Sequence, residues 1–87
     1  MKCDVYVFVT LRPSSASKID AVEHKGRFKW DIDGTTEEDA LRMVMRQFTR
    51  KELARLQTIT LDPISRPRLK WLETKKIFDF ESSEAVK

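Results

Sequence analysis

Val5 to Val9 is an unbroken apolar run, and the stretch Asp4 to Arg12 around it is rich in valine, aromatic and threonine side chains. Such residues suit a pleated surface, and apolar groups on both sides of the pleat predict a strand in the middle of a sheet. Pro13 with Ser14, Ser15 and Ser17 interrupts it, Lys18 to Val22 has no clear period, and His24-Lys25-Gly26 has the composition of a turn. From Arg27 the pattern alternates. Phe28, Trp30 and Ile32 fall on one side and Arg27, Lys29, Asp31 and Asp33 on the other, which predicts a second strand with one packed face and one wet face.

After Gly34 the period changes to that of a helix. Thr35 stands three residues before Glu38, a capping-box spacing, and Glu37, Glu38 and Asp39 place negative charge at the positive end of the helix dipole. Leu41, Val44, Met45 and Phe48 form the apolar stripe. An unbroken helix would carry Glu52 onto that stripe. Thr49 and Glu52 have the spacing of a second capping box, so the sequence predicts a break or kink near Thr49 and a short helical segment to about Leu56. Thr58 to Leu61 reads as a short strand stopped by Asp62-Pro63. Arg68 to Glu73 is ambiguous between one helical turn (Leu69, Leu72) and a strand (Leu69, Trp71), with strand the preferred reading. Ile77 to Phe80 is the last strand, with Phe78 and Phe80 on one face.

The order β, β, α, β, β predicts an α+β fold, a small mostly antiparallel sheet with one main helix on one face. A single domain over residues 1–81 and a frayed polar tail over 82–87 are expected. Eighty-seven residues, 40% hydrophobic with a net charge of +3, suit one folded domain of this kind.

Composition removes several chemistries. Two glycines and one histidine leave no glycine-rich phosphate cradle, no two-histidine metal site and no usual catalytic triad. Cys3, the lone cysteine, cannot form an intrachain disulfide or a cysteine metal cage, and it reads as a strand residue in a reducing, cytoplasmic setting. Its position near the start does not follow an apolar export segment. The run Val5 to Val9 is far short of a membrane span or a signal segment. Asp31 and Asp33 could suggest a divalent cation, but the following glycine comes too early for an EF-hand loop, and His24 has no evident nucleophile to serve. Met43 and Leu53 are candidates for a partner patch. The chain is therefore expected to be non-enzymatic, with no cofactor and no metal.

Charge is the most informative feature. Residues 42–76 hold ten basic side chains against three acidic ones, an excess of seven, while the segments on either side are net acidic. Arg42, Arg46 and Arg50 recur every fourth residue and would form a row on a continuous helix. Arg66-Pro67-Arg68-Leu69-Lys70-Trp71 places three cations beside an indole. Arginine forks hold phosphates bidentately, and aromatic groups among cations can stack bases. The leading expectation is a nucleic-acid-binding protein with weak sequence preference. Arg42, Arg46, Arg50, Lys51, Arg55, Arg66, Arg68 and Lys70 would contact the backbone and Trp71 would stack. The rival is a protein-binding accessory or inhibitor module, of phage or mobile-element type, that docks on an acidic partner surface. An exposed edge strand could serve that docking or pair two copies into a homodimer. Attachment to an anionic membrane is the weakest reading, since the basic segment lacks an extensive apolar companion face.

Overall fold

The computed structural model describes residues 1–13 and 22–80. The predicted Ser14, Ser15 and Ser17 loop and the predicted frayed tail both lie outside the described residues.

Four strands, β1 (Lys2–Leu11), β2 (Val22–Asp31), β3 (Leu56–Pro63) and β4 (Lys76–Asp79), form one antiparallel sheet in the order β2-β1-β3-β4. A helix α1 (Glu37–Met45) and a single turn α2 (Arg50–Leu53) link its two halves. The fold is the small α+β sheet-and-helix arrangement that the sequence predicts, and β1 is central. Cys3, Val5, Val7, Val9 and Leu11 point to one side of β1 and are at most 2% exposed. Trp30 of β2, Leu56, Ile59 and Leu61 of β3, Ala40 and Val44 of α1, and Leu69 and Leu72 between β3 and β4 complete the core with them. Leu41, Met45 and Phe48 of the predicted stripe pack at its margin.

The helix break is present at Thr49. The Thr49 hydroxyl accepts from the Glu52 amide at 3.2 Å, and the Glu52 carboxylate accepts from the Thr49 amide at 2.8 Å, a complete capping box. The first cap differs from expectation by one residue. Thr35 donates its amide to Asp31 O at 3.1 Å and so closes the turn after β2, which leaves Thr36 in extended geometry to accept from the Asp39 amide.

Several further expectations need correction. His24-Lys25-Gly26 is not a turn: the ladder between β1 and β2 runs without a break from Lys2↔Asp31 to Leu11↔Val22, and Gly26 lies opposite Val7. Ten strand residues offering consecutive backbone partners outweigh local turn propensity. Asp33 belongs to the turn and not to the strand, and its amide donates to the Asp31 carboxylate. Residues 68–73 are neither strand nor helix. Leu69 and Leu72 are both buried, and the Leu72 amide donates to Leu69 O at 3.0 Å. A strand would send those two leucines to opposite faces, whereas this turn buries both. Asp62-Pro63 does not stop the third strand, which runs from Leu56 to Pro63, and the short helical segment expected to reach about Leu56 ends at Leu53; Pro63 lies opposite Val5, and the ladder continues past it through Ile64 N donating to Asp4 O.

Candidate nucleic-acid interface

The residues predicted to grip phosphate flank β3, and this strand decides where they go. Its eight residues span roughly 23 Å at ~3.3 Å per residue. Arg50, Lys51 and Arg55 precede it and Arg66, Arg68 and Lys70 follow it, so the two groups occupy opposite ends of the sheet. The break after Met45 also ends the helical row, because Arg46 is the C-cap of α1 and Arg50 begins α2. Apart from Arg42, the second-half cations therefore fall into two clusters and do not share one flank.

The first cluster lies where β1 stops and β3 starts. Arg12 ties that end together: its amide donates to Arg55 O at 2.7 Å and its guanidinium to Ala54 O at 2.9 Å. The C-terminal end of α1 reaches the same place, since Phe48 packs edge-on against His24, which pairs with Val9 near the end of β1. Arg46, Arg50 and Lys51 are exposed and Arg55 is half-buried. Among the described residues none of these four makes an ion pair. Glu52 is the carboxylate set among them. The hydrogen bond from the Thr49 amide, then the Thr49 hydroxyl and the positive fields of His24 and Arg55, lower its pKa below the ordinary value, so it is occupied as a cap.

The second cluster is more committed to the fold. Arg68 donates to Glu73 O at 2.6 Å, Lys76 pairs with Glu37 and lies over the Phe78 ring, and the indole N–H of Trp71 donates to Thr35 O at 2.9 Å. Trp71 is half-buried against Trp30, with ring centroids 6.4 Å apart, so its packing role is evident. Arg66 and Lys70 precede it in the same connection, both exposed. Arg42 stands apart from both clusters, on the helix, in an ion pair with Asp39 at 3.2 Å.

A surface absent from the sequence-based expectations lies on the other side of the sheet. Tyr6 and Phe8 alternate with the core valines of β1 and so point away from α1; Tyr6 is 42% exposed and Phe8 is half-buried. Directly across on β2 stand Arg27, opposite Tyr6, and Lys25, opposite Phe8, with Lys29 next in line. Arg27 is held by Asp4 at 3.1 Å. The signal is present in the sequence as alternation on two strands, Tyr6 and Phe8 on one and Lys25, Arg27 and Lys29 on the other. The turn-like composition of His24–Gly26 conceals half of it.

Among the described residues no group of three or more His, Cys, Asp or Glu side chains could hold a metal ion, and no helix is long and apolar enough to cross a membrane. Comparison with family models, with characterised proteins and with solved structures gives no match to this chain.

Proposed function

We propose that this chain is a non-enzymatic binding protein that holds nucleic acid through its phosphates, chiefly at the end of the sheet bearing Arg46, Arg50, Lys51 and Arg55. The observation that supports this reading is the company these cations keep. Among the described residues they are not ion-paired, Arg12 stands beside them, and the acid set among them is engaged as a helix cap. Phosphates meeting such a cluster would release condensed counterions, so binding should weaken steeply with salt and depend little on sequence.

Arg50→Glu with Lys51→Glu is the suitable test pair. Both positions lie in the first turn of α2, where negative charge agrees with the helix dipole, so the fold should tolerate the reversal. The double variant should bind a duplex or a single strand at least tenfold more weakly. Its plot of log affinity against log salt should be shallower by about 0.7 to 0.9 for each phosphate that is no longer neutralised. No binding by the folded wild type at low salt would remove the reading.

A second reading rests on the β2 edge. Val22–Asp31 is an outer strand of ten residues, long enough to dock a partner strand or a second copy through backbone hydrogen bonds. Lys25, Arg27 and Lys29 on it would suit an acidic protein partner. Capture of a polypeptide in the absence of any nucleic-acid affinity would favour this alternative.

A further inference from the structure

We propose that the face of the sheet opposite α1 is a stacking platform for single-stranded nucleic acid, with Tyr6 and Phe8 each under a base and Lys25 and Lys29 beside its phosphates. This rests on the nucleic-acid reading above and specifies the form of nucleic acid that it takes.

The two rings are unusual for their position. A sheet packed by helices on one side ordinarily presents polar groups on the other. Here the central strand turns two aromatic side chains outward, fixed by ladders to β2 on one side and β3 on the other. Register gives the rows across the sheet: Lys25, Phe8, Thr60 and Ile77 in one, and Arg27, Tyr6 and Asp62 in the next. A shallow depression of about 450 Å³ lies over Tyr6, Phe8 and the neighbouring stretch of β2.

Charge selects the occupant and its track. The β2 side of the face carries Lys25, Arg27 and Lys29, with Lys2 opposite Asp31 at one corner and Glu23 opposite Thr10 at the other. Asp4 neutralises Arg27, while the β3 side carries Asp62. A polyanion is therefore drawn toward β2 in preference to β3, so its phosphates would lie along Lys25 and Lys29 with its bases turned inward over β1. A dry protein interface fits poorly. Apart from Tyr6, Phe8, Ile77 and, in the row of Asp4, Ile64, the described face is threonine and charge, and covering it with protein would strip water from its lysines at a cost that apolar contact does not repay.

Ring spacing distinguishes single strand from duplex. The Tyr6 and Phe8 centroids are 6.4 Å apart and their planes differ by 57°. Successive nucleotides in one strand of a duplex rise by about 3.4 Å, so bases resting on both rings must be splayed from each other. Paired, stacked bases offer no free faces for such contacts, whereas unpaired ones do.

The test compares a single-stranded oligonucleotide with its duplex in anisotropy titrations, using wild type, Tyr6→Leu, Phe8→Leu and the double variant Lys25→Gln/Lys29→Gln. Leucine keeps an apolar side chain on the strand while removing the ring, and thermal melts establish that each variant is folded. Each ring variant should bind the single strand roughly 5- to 150-fold more weakly with its salt slope unchanged. Duplex affinity should stay where it was, and the lysine variant should show a shallower salt slope. Amide shifts of residues 6, 8, 25 and 29 on adding the oligonucleotide would support the placement. Ring variants that bind the single strand like wild type, while Arg50→Glu/Lys51→Glu weakens it, would overturn the platform and leave the phosphate reading intact. Absence of binding to either form at low salt would overturn both.

Discussion

Single residues already explain the chain's most distinctive local event, the interruption of its helix. Thr49 and Glu52 exchange hydrogen bonds that α1 could not continue past, and Thr49→Ala should lower stability by about 1 kcal/mol in a denaturant titration. The same pair sets a pH dependence. Because the Thr49 amide and hydroxyl favour the ionised Glu52, its folded pKa lies below the unfolded one, and its contribution is present above the unfolded value of 4.5 and lost as pH falls through the folded value. Glu52→Gln should therefore melt below wild type near neutrality, and the gap should close on acidification below about 4.5; a constant gap would contradict the assignment. Gly26 makes a different case. It has no positive φ, and an added Cβ would meet only a Phe28 ring atom at 3.9 Å, beside a cavity of about 370 Å³ lined by Val7, Val9, His24, Phe28 and Phe48. Neither backbone nor packing demands glycine there, so Gly26→Ala should raise stability by about 0.5 to 1 kcal/mol.

The elements divide into those governed by local pattern and those governed by distant partners. Strands β1 and β3, the acidic helix start and the break at Thr49 are legible because alternation, capping spacing and β-branched runs act over a few residues. His24–Gly26 has the composition of a turn. Only the ten-residue partner β1 makes it a strand, and nothing within the segment announces that. The stretch from Arg66 to Lys75 is harder still. It has no regular element, yet Leu69 and Leu72 are at most 1% exposed and Trp71 is bonded to Thr35 O across the chain. This connection is core held in place by its side chains, and Leu69→Ala should cost about 2 to 5 kcal/mol, as much as a strand leucine of similar burial. A loss below about 1 kcal/mol in equilibrium unfolding would mean that the segment lies on the body without supporting it.

At the scale of the whole molecule, the count of cations is legible in the sequence and their arrangement is not. Ten basic side chains within residues 42–76 suggest one flank, but Arg42 pairs with Asp39 on α1, and β3 divides the rest between opposite ends: Arg46, Arg50, Lys51 and Arg55 make no ion pair among the described residues, while Arg68 and Lys76 of the other group are tied into the fold. Likewise an apolar run on both faces of β1 suggests burial on both sides. Among the described residues helices cover one side, and the other displays Tyr6 and Phe8 beside the lysines of β2. On the proposed reading, such a chain would meet a polyanion at the α2 end and its bases on the sheet face opposite α1. The most direct test is a titration of the folded protein with an unstructured single strand at about 50 mM and about 200 mM salt. Binding at the lower concentration should fall steeply at the higher one and drop at least tenfold in Arg50→Glu with Lys51→Glu. Affinity absent at both salt concentrations, or present and indifferent to salt and to the charge reversal, would contradict phosphate recognition by this protein.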